Sequence, residues 1–384
     1  MSASRKGCDC IVVGAGVIGL SVAYELLRRG MRVLLLDGNE PGSGASRVAG
    51  GMLAPTSEAE LAQPALVRLG VDSRDRYRGF VRDLEVLTGM RCEYRTEGTL
   101  WVALNRDDEG DLERLREIVA AKGLSADLLS PAQVLEREPQ ITARLTSGVL
   151  ISGDHQVDPR ALTRVLQGAI RRLGGQVEAG VKVCEVVSEG GRVCGVVTHR
   201  ADGTVVRLDA SSVVLCAGAW STEGLLSPLA QVARVRPVKG QIVRLRGPQL
   251  LRHVVRAPRV YLIPRHDGTL LLGATTEEVG FDGAPTCGAV LDLLGHAWRV
   301  LPGVADLELV DVGVGFRPAL QDHLPIIGDT PVPGFFVATG HYRDGVLLAP
   351  ATAHYLAEMV VNGTAQSALT PFSWRRFCRN GEPR

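Results

Sequence analysis

Lysine is nearly missing from this sequence. Lys6, Lys122, Lys182 and Lys239 are the only four, and arginine supplies the other 39 of its 43 basic residues. Against 42 acidic residues this leaves a formal charge of +1. That surplus is too small to neutralise a phosphate backbone, which argues against a nucleic-acid binder. No run of about 18 apolar residues occurs, so no membrane span is expected. The amino-terminal MSASRKGCDCIVVGAG carries two basic residues, but glycines break its apolar run at once, unlike a signal peptide. The eight cysteines form no CxxC pair, and no Cys/His spacing suits zinc, so no metal is expected. Several lie in apolar runs such as Val213-Val214-Leu215-Cys216, as buried, reduced thiols do. A soluble, cytoplasmic protein is expected.

Glycine, by contrast, is abundant. The 45 glycines are well above the usual ~7% of residues, yet no low-complexity tract holds them. A chain of 384 residues, 45% hydrophobic, can bury its own core, so the glycines need another reason. Glycine belongs where backbone turns sharply or approaches a ligand, and nine fall between Gly14 and Gly51.

The pattern there reads strand 9–13, glycine turn, helix 17–29 stopped by Gly30, and strand 31–36 ending at Asp37, a complete β–α–β unit. Further along, helices are expected near 60–88, 107–122, 158–173, 286–300 and 345–361. Asp158 is placed as N-cap, with Pro159 in the first helical position. Short strands are expected over 90–105. Three strands form an antiparallel meander about Gly190-Gly191 and Asp202-Gly203, followed by a separate strand at 212–216. More strands fill 234–275, and one more runs over 334–339. The fold class is α/β, with a Rossmann-like nucleotide-binding part.

Gly14-Ala15-Gly16-Val17-Ile18-Gly19 is GxGxxG, placed after a strand and opening a helix, with Asp37 ending the next strand. Gly14 allows the tight turn, Gly16 lets backbone reach a pyrophosphate, and Gly19 lets helix and strand pack closely. The helix N-terminus offers free N–H groups to the phosphate. Asp37 would accept from the ribose hydroxyls and disfavours a 2′-phosphate. The fingerprint alone leaves FAD and NAD open. A second glycine-rich loop at Gly42–Met52 and a third turn at Gly340-His341-Tyr342-Arg343-Asp344-Gly345 fit FAD better than NAD.

Three segments carry a family resemblance. They are Ala49-Gly50-Gly51-Met52-Leu53-Ala54-Pro55; Gly315-Phe316-Arg317-Pro318-Ala319-Leu320 with Asp322-His323-Leu324-Pro325-Ile326-Ile327-Gly328; and Thr339-Gly340-His341-Tyr342-Arg343-Asp344-Gly345-Val346-Leu347-Leu348-Ala349-Pro350. On these the chain resembles the FAD-dependent D-amino acid oxidase family along nearly its whole length, and within it the glycine oxidases of thiamine biosynthesis. The resemblance implies a discontinuous FAD-binding domain (1–88, 148–224 and 313–384) and an inserted antiparallel-sheet substrate domain (89–147 and 225–312). It implies FAD contacts from Val17, Ile18, Asp37, Ala45, Ser46, Gly50, Gly51, Met52, Val183, and His341, Tyr342, Arg343, Asp344, Gly345, Val346 and Leu347. It makes Arg317 the clamp of the substrate carboxylate, Tyr261 its partner, and Arg343 a further residue at the substrate.

A guanidinium suits the clamp because it can hold a planar carboxylate bidentately. The implied reaction is oxidative deamination of glycine, with sarcosine or small D-amino acids as further substrates. Dioxygen would be reduced to hydrogen peroxide, and the product would feed thiazole synthesis. Alternatives within the fold are a sarcosine or D-amino acid oxidase and a quinone-linked amino acid dehydrogenase. Some relatives, the sarcosine oxidases, attach FAD through a cysteine near the flavin. Residues 311–328 contain none, so non-covalent FAD is expected. Tetramers in the family suggest a homo-oligomer. Two positions depart from the family pattern: Thr276, where methionine is frequent, and Asp344, where asparagine is usual.

Overall fold

The computed structural model describes residues 8–57, 63–221, 234–364, 366–379 and 382–383. The amino-terminal MSASRKG and the expected domain boundary at 224/225 lie outside these residues. Strand Cys8–Val13 pairs in parallel with Val33–Leu36 on one side and with the latter half of Val205–Leu215 on the other. Outward from these lie Gln176–Glu178, Phe335–Thr339 and Ile326–Asp329, the last antiparallel. The central strands IVV and VLLL are apolar without alternation because both sheet faces are covered. Cys10, Val12, Val33 and Leu35 face a layer built from helices Val17–Arg28, Pro64–Thr88, Pro159–Arg172 and Gly345–Asn362. Ile11, Val13, Leu34 and Leu36 face the meander residues Val181, Val183, Val193 and Val196.

The meander differs from expectation in one respect. Its third strand and the strand expected at 212–216 are one continuous strand, Val205–Leu215. The first half pairs antiparallel with Arg192–Arg200, the second in parallel with Cys8–Val13. No turn residue separates the halves, so the strand joins two layers. Of the strands expected over 90–105 only Thr99–Ala103 forms, preceded by a single bridge between Arg95 and Gln156. Helix Pro131–Arg137 was not expected. It is short, and its start is written in a capping box in which Ser130 and Gln133 bond reciprocally.

The second sheet runs Glu308–Ala319, Arg236–Arg246, Thr269–Gly273, Val260–Pro264, Val254–Ala257, Thr99–Ala103, Ser147–Ile151, Asp127–Leu129. It is antiparallel throughout except where Val254–Ala257 meets Thr99–Ala103. Helix Cys287–Val300 seals one face through Leu293, Ala297 and Val300. The sequence boundaries 147/148 and 312/313 both fall inside strands of this sheet. Glu308–Ala319 continues to Ala319, where it bridges His341, and so reaches the first sheet's loops.

Helix Gly345–Asn362 contains Pro350, whose missing N–H leaves the Val346 carbonyl without its helical donor. The buried Tyr77 hydroxyl donates to that carbonyl. One position on, Ser73 Oγ enters the helix, donating to Leu347 O at 2.7 Å and accepting from Ala351 N at 3.1 Å. Helix Pro64–Thr88 therefore repairs the opened turn and fixes the direction of its neighbour's amino terminus. Among the described residues, no helix is long and apolar enough to cross a membrane, and no three His, Cys, Asp or Glu side chains are grouped to hold a metal.

Candidate functional site

A cavity of about 870 Å3 opens at the carboxyl ends of the parallel strands and reaches across to the second sheet. Val13-Gly14, Leu36-Asp37, Cys216-Ala217 and Ala338-Thr339 line it, each a strand end. This is where open α/β sheets bind ligands, because strand ends and helix starts leave backbone groups exposed there. All but one of the residues singled out in the sequence line this cavity: Gly14, Gly16, Val17, Ile18, Asp37, Ala45, Ser46, Gly50, Gly51, Met52, Val183, Tyr261, Arg317 and every residue from His341 to Leu347. Gly19 does not. A Cβ there would lie on the Gly14 carbonyl oxygen, so its part is packing, as its place in the motif implies.

At the nucleotide end, Gly14 takes φ +100°, and a Cβ on it would meet the Cys216 carbonyl oxygen at 2.5 Å. Gly16 is different: the nearest protein atom to a Cβ there is Ser46 Oγ at 3.4 Å, so its open side is the cavity. Val17 N donates to Ser46 Oγ at 2.9 Å, tying the second glycine loop to the first. Asp37 accepts from Ala15 N at 2.6 Å and Asn39 N at 2.8 Å. Burial raises its pKa, and these two N–H groups oppose the rise. Each carboxylate oxygen can accept again, as a ribose hydroxyl requires.

The third glycine turn supplies a second helix start. Among the described residues, the amides of Gly345, Val346 and Leu347 have no acceptor, and the first intrahelical bond is Leu348 N to Asp344 O. With Ile18 and Gly19 likewise unpaired at the first helix, two positive helix ends face one cavity. His341 is buried, and burial pushes its pKa down to about 3. Its Nε2 lies 3.2 Å from Thr352 Oγ1, so the ring is a neutral packing group. Asp344 occupies the helix N-cap and makes no side-chain capping bond. A carboxylate there complements the helix dipole.

At the other end the three proposed substrate residues converge on one segment, Gly273–Thr276. Arg317 Nη1 donates to Thr275 O at 3.0 Å and, less closely, to Lys239 O at 3.4 Å. Among the described residues its Nη2 and Nε bond to nothing, which leaves one edge of the fork for a ligand. Arg343 Nη2 reaches Thr276 Oγ1 at 3.5 Å, and its guanidinium lies over the Tyr342 ring. A methionine at 276 would offer only a weakly accepting thioether sulfur in its place. The Tyr261 ring occupies the space where a Gly273 side chain would be, with Cζ 2.5 Å from an added Cβ. The same ring lies beside Gly50 of the second glycine loop.

Sequence reading missed the aromatic wall. Trp220 and Phe316 line the cavity, and Phe281 stacks on Trp220 at 5.4 Å while meeting Phe316 edge-on at 5.2 Å. Three distant segments meet here, and no spacing links them. Phe316 alone could have been found, as the neighbour of Arg317 in the same motif. Gly240 was also missed: the Arg317 guanidinium lies directly over it.

The fold is that of a nucleotide-dependent oxidoreductase of the flavoprotein kind, and its large cavity brings together two helix starts and a guanidinium with one edge unbonded among the described residues. The chain belongs to the FAD dependent oxidoreductase family, whose model matches residues 9–359. It is 35% identical over 375 residues to the bifunctional protein ThiO/ThiG of Trichormus variabilis, covering 96% of this chain and 55% of that protein. The chain thus spans about half the length of that relative. It is 33% identical to the glycine oxidase of Geobacillus kaustophilus, covering 96% of this chain and 97% of that one. The crystal structure of a Geobacillus kaustophilus glycine oxidase superposes with a TM-score of 0.89 at 32% identity, covering 98% of this chain and all of the other.

Proposed function

We propose that this protein oxidises glycine, with FAD held non-covalently in the large cavity. Sarcosine and small D-amino acids are its further substrates, dioxygen is its acceptor, and its product serves thiazole synthesis. The observation that carries the reading is the Arg317 fork. One nitrogen is fixed to backbone and the other edge is free, in the same cavity as Tyr261 and both helix starts. Similarity to proteins named glycine oxidase over nearly their full length supports the choice of substrate. The division of labour proposed is that 1–88, 148–224 and 313–384 hold the cofactor, while 89–147 and 225–312 shape the substrate pocket.

When bound, the flavin supplies the two-electron chemistry. The chain's own residues bind and orient. Arg317 holds the carboxylate and Tyr261 backs it, which fixes the direction of the α-carbon. The wall of Trp220 and Phe316 limits the space beside it and excludes water. The buried His341 ring stays neutral at ordinary pH, its Nε2 already against Thr352, and moves no proton. Gly14, Gly16 and Asp37 fit the nucleotide half, and the amides of Gly345, Val346 and Leu347 fit an electron-rich ring edge.

The test is a peroxide assay across glycine, sarcosine and D-alanine on wild type and Arg317→Ala. Glycine turnover should fall sharply in the variant while the flavin band stays. Unchanged catalytic efficiency would sink the assignment. Amine oxidation without peroxide, but with reduction of a quinone dye, would move it to a dehydrogenase. Acid precipitation should leave the yellow colour in the supernatant; colour in the pellet would refute non-covalent attachment.

A further inference from the structure

A second cavity, of about 400 Å3, lies behind the cofactor loop. Gly42, Ser43 and Ala49 border both cavities. Six arginines line it from three directions: Arg47 from the loop, Arg160 and Arg164 from helix Pro159–Arg172, and Arg244, Arg246 and Arg265 from the second sheet. The lining acids are Glu40, Asp158 and Asp267. Asp158 is engaged as helix cap by Arg160 N, and Asp267 accepts from Thr269 N. Arg244 pairs with Asp311 at 2.6 Å. The buried Arg265 guanidinium donates to Gln156 Oε1 and Gly50 O, and Arg160 donates to Arg47 O. Among the described residues, Arg47, Arg160, Arg164, Arg246 and Arg265 form no ion pair.

Elsewhere in the protein some arginines, such as Arg137 and Arg172, donate to single backbone carbonyls, but many are matched with an acid. Arg29, Arg32, Arg76, Arg207, Arg375 and Arg376 each meet a carboxylate within 3.0 Å. Around this cavity cations crowd together with too few acids to balance them. Burial lowers the pKa of Arg160, and the charges of Arg244 and Arg47 lower it further. Burial likewise lowers that of Arg265 to about 10. A single carboxylate would not offset six guanidinium groups against four acids, Asp311 included. A multivalent anion with oxygens pointing in several directions would, and guanidinium forks from three elements match a phosphate group.

We propose that this cavity is a binding site for a small phosphate-bearing molecule, separate from the FAD site and adjoining it through the loop of Gly42, Ser43 and Ala49. The volume leaves room beyond one phosphate for a second phosphate or a small organic body.

The experiment is calorimetric titration of the FAD-loaded protein with inorganic pyrophosphate, in phosphate-free buffer at constant ionic strength set with sodium chloride. Parallel arms use inorganic phosphate and ribose 5-phosphate. Saturable binding of one molecule per chain is expected, weakened at least tenfold by Arg164→Ala combined with Arg246→Ala, two exposed side chains whose loss should spare the fold. Arg160→Gln should weaken it independently, and Arg114→Ala, on a distant exposed helix face, should not. Preference for ribose 5-phosphate over both inorganic ions would identify an organic phosphate, and the reverse an inorganic one. No saturable heat in any arm, or equal affinity in the Arg164/Arg246 and Arg160 variants, overturns the proposal. Release of FAD on titration, seen in its visible spectrum, would place the anion in the cofactor cavity and overturn it as well.

Discussion

Gly240→Ala is the most informative single substitution, because it acts on the proposed clamp without touching it chemically. Gly240 lies opposite Gly315 on neighbouring strands, and Arg317 is the next residue on that face of its strand. A Cβ built on Gly240 falls 2.5 Å from both Cζ and Nη2 of Arg317. Carbon contacts need about 3.5 Å, so the guanidinium must retreat by about 1 Å. Gly240 does not have a positive φ, and the obstructing atoms end a flexible side chain, so the strand should tolerate alanine. A displacement of about 1 Å in a positioning group costs on the order of 100-fold in rate, or about 2.7 kcal/mol of transition-state binding. Steady-state kinetics with glycine should show this loss in kcat/KM, with flavin content and melting temperature close to wild type. In an Arg317→Ala background the same substitution should cost almost nothing, since neighbours acting through one group are not additive. Wild-type kcat/KM in Gly240→Ala, or an undiminished loss in the double variant, would refute the argument that Arg317 works from this position.

Gly16→Ala and Gly19→Ala should separate ligand contact from packing. Gly16 has ordinary φ of −72° and room for a methyl group on the protein side. The first variant should keep its apoprotein stability and lose FAD affinity at least tenfold, whereas the second should destabilise the apoprotein itself. Flavin fluorescence titration and thermal melts distinguish them, and matching behaviour would be contrary evidence. Tyr77→Phe leaves the Val346 carbonyl freed by Pro350 without a donor, and urea denaturation should show a loss of about 1–3 kcal/mol; no loss would mean the opened turn repairs itself. His341 binds protons more weakly folded than unfolded, with a folded pKa near 3 against 6.5. Its contribution is full above about pH 6.5 and is lost as pH falls toward 3, by at most about 1.4 kcal/mol per pH unit. His341→Gln should flatten the stability profile between pH 6.5 and 4, and an unchanged slope would assign the acid sensitivity elsewhere.

Much of the nucleotide half was legible because local backbone rules create it. A tight turn needs Gly14, close packing needs Gly19, and an apolar strand ending in Asp37 needs no distant partner to be recognised. Helices Val17–Arg28 and Pro159–Arg172 were readable from periodicity and caps for the same reason. The long strand Val205–Leu215 was read as two because its halves serve different layers, a distinction set by its neighbours and not by its own residues. The single parallel pairing in the second sheet joins segments some 150 positions apart, beyond the reach of any local pattern.

Glycine spacing marked the turns that line the large cavity, because sharp turns and close backbone approaches call for glycine and glycine is visible in a string. The sequence by itself also marked Arg317 within a motif. Only the tertiary structure decided what surrounds that arginine: Gly240 beneath its guanidinium, Thr275 O holding one nitrogen, and Trp220, Phe281 and Phe316 brought together as a wall. It likewise decided which arginines meet carboxylates and which crowd a cavity without them. In a chain with 39 arginines, identity carries no such information, since pairing is a property of distance, and distance between remote residues is fixed by the packing of the two sheets.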